Sequence, residues 1–177
     1  MGSEGSAVKP TDFRRILREL CREQVEFIVV GGLGAVLHGA PIVTRDLDIV
    51  QRRTPANVDR LVRALDRLGA RYRTSPGVRI APLRPELERD GHHLFITDAG
   101  ALDVLGRIHG GLGYEELAPR AVTLELDGAK ILVQDLEGYI AIKEALGSEK
   151  DRAQLPVLRR TLEEIRRKAS TERGGAP

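Results

Sequence analysis

A chain of 177 residues with 41% hydrophobic and 31% charged residues has the makings of one globular domain around a single sizeable core. Three Phe, three Tyr and no Trp argue against a surface that stacks the bases of a single strand, and a net charge of +2 is too small to indicate nucleic-acid binding by itself. The lone Cys21 excludes an intrachain disulfide, and the longest apolar run, broken by glycines, is too short to span a membrane, so a reducing, cytoplasmic setting is expected.

The opening "MGSEGSAVKP" has no apolar signal core, and residues 1–10 read as a disordered tail. Thr11 is the expected cap of a helix with Phe13, Ile16, Leu17, Leu20 and Cys21 on one stripe. "VEFIVV", residues 25–30, is a short buried strand, and "GGLGAVLHGA" opens a brief helix that Gly39 and Pro41 close. "IVTRDLDIV" is the next strand. Thr54 caps, and Pro55 begins, a helix reaching about Gly69 with Val58, Leu61, Val62, Leu65 and Leu68 inward. Residues 70–91, rich in Arg and Pro, are irregular with one or two short strands. Two hairpins follow: "HHLFIT" and "ALDVLGRI" flank "DAG", then "AVTLEL" and "AKILVQ" flank Asp127-Gly128. Asp135 caps "LEGYIAIKEALG", and an amphipathic segment over 149–169 carries Leu155, Leu158, Leu162 and Ile165, with Pro156 near its start or kinking it. This order implies an α/β (α+β) fold, a mixed sheet backed by helices. Residues 11–134 form the core, 135–170 a helical extension packed on it, and 171–177 a second disordered tail.

Strand alternation puts Leu47 and Ile49 on one face and Asp46 and Asp48 on the other. Two carboxylates side by side repel, and desolvating them unpaired costs about several kcal/mol each, so a cation belongs between them. A hard divalent ion such as Mg²⁺ meets that need. Exposure at a strand end, with Arg45 or Arg52 as partner, meets it too. Gly31 and Gly32 sit between a strand and a helix, where backbone amides can approach a phosphate without a Cβ in the way. Gly32-Leu33-Gly34 after a strand is a poor match to a dinucleotide fingerprint, because Leu37 occupies the third glycine's place, the helix is too short and Pro41 cuts it. Asp103, between Leu102 and Val104, is a third acid in a strand, or else a strand-edge acid beside the "DAG" turn. Two metals on three carboxylates can align an in-line attack on a phosphoryl group. Of the 28 basic residues 23 are Arg, and ten of these lie from Arg52 to Arg89. That stretch reads either as solvated helix faces or as a phosphate-facing surface. His92 and His93 begin a strand, where a structural histidine or one facing a cleft both fit. His38 and His109 lack a partner at zinc-ligand spacing.

With Val30-Gly31-Gly32, a spacer and Asp46-Leu47-Asp48-Ile49 set out as strand, glycines, helix and strand, the chain resembles the DNA polymerase β-like nucleotidyltransferase superfamily. The resemblance spans roughly residues 25 to 165. "LEGYIAIKEALGSEKDRAQLPVLRR" behind the core is similar to the stand-alone bacterial branch that includes AbiEii-type toxins. The resemblance implies transfer of a nucleoside monophosphate from an NTP to an acceptor hydroxyl. It implies Mg²⁺ or Mn²⁺ on Asp46 and Asp48 with Asp103 completing the triad, Gly31, Gly32, Arg45 and Lys143 around the triphosphate, and Asp151 nearby. Read alone, Lys143 is a solvated helix residue and Asp151 a helix cap. Many active members carry Ser where this chain has Gly32, so a hydroxyl contact to phosphate is missing. The acceptor is open among a tRNA 3′ end, which the arginines favour slightly, a protein hydroxyl and a small molecule such as an aminoglycoside. A toxin role with an antitoxin partner is one setting. A fold-retaining protein that acts mainly by binding protein, in a toxin–antitoxin or regulatory system, is the alternative.

Overall fold

The structure is a computed structural model that describes residues 10–74 and 78–174. Most of the two expected tails therefore lies outside the described residues. The first helix, α1 (Phe13–Arg22), is capped by Asp12, whose carboxylate accepts from the Arg15 N–H at 3.0 Å. Thr11 is not the cap because its hydroxyl is used elsewhere, donating to the Arg45 carbonyl at 2.6 Å and accepting from the Ala101 N–H at 3.2 Å. There follow β1 (Phe27–Val30), α2 (Gly31–Leu37), β2 (Leu47–Gln51), and α3 (Pro55–Arg67), whose cap is Thr54. Among its described residues the Arg- and Pro-rich stretch holds β3 (Arg71–Tyr72) and a single turn, α4 (Arg84–Leu87).

Both hairpins form: β4 (His92–Thr97) with β5 (Gly100–Leu105), and, after the short α5 (Tyr114–Leu117), β6 (Val122–Leu126) with β7 (Ala129–Val133). Asp127 and Gly128 both have positive φ, +51° and +81°, the geometry a two-residue hairpin turn demands. Asp135 caps α6 (Leu136–Leu146) by accepting from the Gly138 N–H at 2.9 Å. The last helix, α7 (Glu149–Gly174), passes through Pro156 and continues four residues beyond 170, where the tail was expected to start. No Gly or Pro lies between Pro156 and Gly174, and the Ser170 and Thr171 hydroxyls bond back to the Arg166 and Arg167 carbonyls, a use of these side chains that leaves the helix intact. Among the described residues no helix is long and apolar enough to cross a membrane.

The seven strands make one mixed sheet in the order β3-β4-β5-β2-β1-β7-β6, with β2–β5 and β1–β7 parallel and the other pairs antiparallel. One face carries Phe27, Val29, Leu47, Ile49, Phe95, Leu102 and Val104, buried in one core with Ile16, Leu17 and Leu20 of α1 and Val58, Leu61 and Leu65 of α3. The opposite face is covered in part: Ile28, Val30 and Val50 pack with Leu117 and the half-buried Leu112 and Tyr114. A separate cluster joins α2 to α6 and α7 through Ala35, Leu136, Ile140, Leu155 and Leu158. Asp48 and Asp103 alternate with core residues, so they belong to the partly covered face, at the end near α2.

Candidate active site

Strand register assembles the site. Val30 of β1 pairs with Asp48 of β2, Asp48 with Asp103 of β5, and Asp103 with Leu94 of β4. Just past β3 the Arg73 N–H donates to the Leu94 carbonyl at 2.9 Å and carries the row one strand further. Cross-strand partners share a face, so Asp48, Asp103, Leu94 and Arg73 stand in line. Asp46 is not within the strand, which begins at Leu47, and its side chain is 43% exposed. It joins the group all the same, because the Arg73 guanidinium makes ion pairs with Asp103 and, at 3.7 Å, with Asp46. Among the described residues the arginine paired with these acids is neither Arg45 nor Arg52 but Arg73, and it bridges Asp46 and Asp103 rather than Asp46 and Asp48. Arg52 is engaged by Glu26 and Glu115.

Gly31 is fixed by conformation and by space. Its φ is +68°, and a Cβ there would lie 2.4 Å from Oδ2 of Asp48. The residue after β1 must therefore be Gly for the Asp48 carboxylate to keep its place beside the first turn of α2. Gly31→Ala is expected to cost about 2 kcal/mol or more, the left-handed penalty plus displacement of Asp48. Urea unfolding measures it, and an unchanged midpoint would refute the close approach. At Gly32 a Cβ would lie 2.8 Å from the Thr44 hydroxyl. Thr44, which sequence reasoning passed over, thus places a hydroxyl over the residue whose own hydroxyl is missing.

A cleft of about 410 Å³ opens here. Gly31, Gly32, Thr44, Arg45, Asp46 and Asp48 line it from the sheet side, and Tyr139, Lys143, Lys150 and Gln154 from α6 and α7. Burial, and then the neighbouring Asp46 charge, push the Asp48 carboxyl up to about 6, against the pull of Arg73 and Lys150. Lys143 is not a solvated residue: it is 7% exposed, and its ammonium donates to Asp151 at 2.7 Å. Burial disfavours that ammonium, but the Asp151 hydrogen bond and Tyr139 outweigh it and raise its pKa. Asp151 is held down to about 2 by Lys143 first and by the Ser148 hydroxyl, which donates at 2.6 Å. Its N–H in turn donates to Ser148 Oγ at 3.1 Å, so Asp151 also completes a capping box at the start of α7.

Three of the four histidines are held by neighbours within the chain. His93 is buried on the core face with Nδ1 2.9 Å from the Tyr72 hydroxyl, His92 reaches the Arg107 carbonyl at 3.0 Å, and His38 the Gln134 carbonyl at 2.8 Å. Of the ten arginines from Arg52 to Arg89, eight make ion pairs within the chain: Arg52, Arg53, Arg60, Arg63, Arg67, Arg73, Arg84 and Arg89. The stretch is therefore not a bare phosphate-facing surface.

A divalent ion fits the site in chemistry. Three carboxylates offer hard oxygen ligands, Asp48 and Asp103 are direct register partners, and Gly31 lets the Asp48 carboxylate lie against the start of α2 without a Cβ in its way. The ligands are not drawn together as they stand: among the described residues no three acidic, His or Cys side chains are grouped closely enough to hold an ion. Two of the three acids are instead engaged by Arg73.

No protein-family model and no curated protein matches the chain. Solved structures do. A Thermotoga maritima protein provisionally described as a nucleotidyltransferase is similar with a TM-score of 0.51 and 22% identity, over 85% of this chain and 90% of that one. The lincosamide antibiotic adenylyltransferase LnuA, bound to lincomycin, gives 0.57 and 14%, over 85% and 98%. The antibiotic-resistance factor ANT(2'')-Ia gives 0.52 and 11%, over 90% of each chain. At these identities the likeness is one of fold, and the fold is the mixed α/β fold of nucleotidyltransferases.

Proposed function

We propose that this chain is a metal-dependent nucleotidyltransferase, moving a nucleoside monophosphate from an NTP to an acceptor hydroxyl. The observation that carries the reading is the register pairing of Asp48 with Asp103 beside Gly31, at the mouth of a cleft with cations on its far wall. Asp46, Asp48 and Asp103 would hold Mg²⁺ or Mn²⁺, which when bound neutralises phosphate charge and makes the acceptor hydroxyl more acidic. Gly31 and Gly32 let the triphosphate approach the backbone, and Thr44 offers it a hydroxyl. Arg45 and Lys150 neutralise its charge from the two walls, with Lys143 held behind them by Asp151. Asp103, on the side away from that cationic wall, faces the acceptor and orients its hydroxyl. The new bond joins the acceptor oxygen to the α-phosphorus as the bond from that phosphorus to the oxygen bridging to the β-phosphate breaks; pyrophosphate leaves in line, and the hydroxyl proton passes to the Asp103 carboxylate.

The acceptor we infer is a small hydroxyl-bearing molecule. The arginines that favoured RNA are mostly engaged by carboxylates, and the lincosamide antibiotic adenylyltransferase and the antibiotic-resistance factor of this fold are matched over nearly their whole length. A toxin role, an antitoxin partner and a protein-binding alternative rest on the sequence resemblance alone. Incubation with each labelled NTP, Mg²⁺ and either the small-molecule or the RNA fraction of a lysate tests the reading. Label is expected in the small-molecule fraction and in neither fraction with Asp46→Ala, Asp48→Ala. Label in tRNA instead would restore the RNA acceptor. Equal labelling by parent and double variant would overturn the mechanism.

A further inference from the structure

We propose that Arg73 is a working part of the site, an internal cation that holds Asp46 and Asp103 until a divalent ion takes them over. The proposal rests on the metal-dependent reading above and adds to it a residue, an order of events and a competition.

The geometry is specific to Arg73. Its backbone is pinned to β4 by the hydrogen bond to the Leu94 carbonyl, so its side chain starts two strands from Asp103, with Leu94 between them, and three strands from Asp48. From there it reaches inward to Asp103, which is 13% exposed, while a third of its own side chain stays in solvent. It arrives from the open edge of the sheet, and nothing need unfold for it to withdraw. Arg73 is also unlike its neighbours in sequence. Arg63 and Arg67 pair with Glu23, Arg84 with Asp59 and Glu88, and Arg89 with Glu86, none of which is a candidate ligand. Arg73 alone in the stretch pairs with the candidate ligands.

A guanidinium and a divalent ion need the same oxygens. Once Arg73 donates to an oxygen of Asp103 and closes on Asp46, an ion bound by those oxygens would meet a positive charge at contact distance. The two states exclude each other. In the resting protein Arg73 keeps two acids from repelling; when metal binds, the guanidinium is released but remains tethered beside Leu94, on the acceptor side of Asp103. Free metal is thereby held off at low concentration, and an ion that brings the added charge of a bound triphosphate with it gains the advantage.

A purely structural Arg73, stapling the edge of the sheet to β5, makes a different prediction: its loss lowers stability and leaves metal affinity unchanged. The test is Mn²⁺ binding without nucleotide, followed by the electron paramagnetic resonance signal of the free ion. Parent, Arg73→Gln, Arg73→Lys and Arg45→Gln are compared. Removing a competing internal ligand is expected to tighten Mn²⁺ binding about tenfold in Arg73→Gln, within the usual range for coupled sites. Arg73→Lys, which keeps the charge but loses the fork, is expected to fall between it and the parent. Arg45→Gln removes the same charge from the same cleft without touching Asp46 or Asp103, and is expected to shift affinity less than about twofold. Equal or weaker binding by Arg73→Gln, or an equal gain in Arg45→Gln, overturns the proposal and leaves the nucleotidyltransferase reading standing. If Arg73→Gln does not fold, Arg73→Lys decides, and no gain over the parent is the adverse result. Absence of Mn²⁺ binding in every form overturns both.

Discussion

Asp48→Asn is expected to make the metal-free protein more stable at neutral pH while lowering nucleotidyl transfer by about a thousandfold, the scale of losing a principal charge-stabilising group. The two effects have one source. The Asp48 carboxyl lies at about 6, above its ordinary 3.8, because it is buried and faces Asp46. A carboxyl raised on folding binds its proton more tightly in the folded state, so stability is greatest where it is protonated. Stability should therefore fall as the pH rises from about 4 through 6 and stay lower above, by about 2 to 3 kcal/mol for a shift of this size. Urea unfolding of the parent should show that fall, Asp48→Asn should lack it, and saturating Mg²⁺ should reduce it by supplying the missing charge. A variant less stable than the parent at neutral pH would contradict the account. Asp151, held down to about 2, acts in the opposite sense in a separate window: its contribution is present above the ordinary carboxylate value and is lost as the pH falls from about 4 towards 2.

Lys143→Met carries the second large effect. It leaves the Asp151 carboxylate, 9% exposed, with Ser148 as its remaining hydrogen-bonding side chain. Breaking a buried pair from one side costs about 3 kcal/mol or more, whereas neutralising both partners costs far less. Lys143→Met is thus expected to lose roughly that amount in urea unfolding, and Lys143→Met, Asp151→Asn to recover most of it, since Asn can still serve the capping box with Ser148. The double variant also isolates the proposed triphosphate role. With the fold restored, a rise in KM for the NTP marks a substrate contact, and an unchanged KM confines Lys143 to holding α6 against α7.

What the sequence made legible was local. Thr54, Asp135 and the Asp127-Gly128 turn each act through neighbours within a few positions, and each is found in its expected role. The face of Asp48 was legible because strand alternation sets it opposite Leu47 and Ile49, and both of those are in the core. Asp46 was placed inside the strand wrongly: β1 ends at Val30, opposite Asp48, and beside β5 the Thr11 hydroxyl bridges the Arg45 carbonyl and the Ala101 N–H, so pairing begins only at Leu47. Arg73 was out of reach for a related reason. A two-residue strand has no periodicity of its own, and the place of Arg73 is set by the Leu94 carbonyl on another strand. The Lys143–Asp151 pair is eight positions apart across the left-handed break at Gly147, outside the spacing at which one helix face brings charges together. The ion-pairing of the arginines depends on acids from Glu23 to Glu115, which only the folded chain brings near.

The parallel pairing of β2 with β5 has a kinetic consequence. Asp48 and Asp103 are 55 positions apart, and no local turn can join them. The hairpins β4–β5 and β6–β7 close loops of a few residues and can form early, whereas β2 can dock beside β5 only after a long loop has closed. Both acids are then supplied by segments that meet late in folding. A nascent or partly folded chain has its glycines, its hairpins and its individual aspartates, but it has no paired carboxylates to capture an ion before the rest of the sheet is in place.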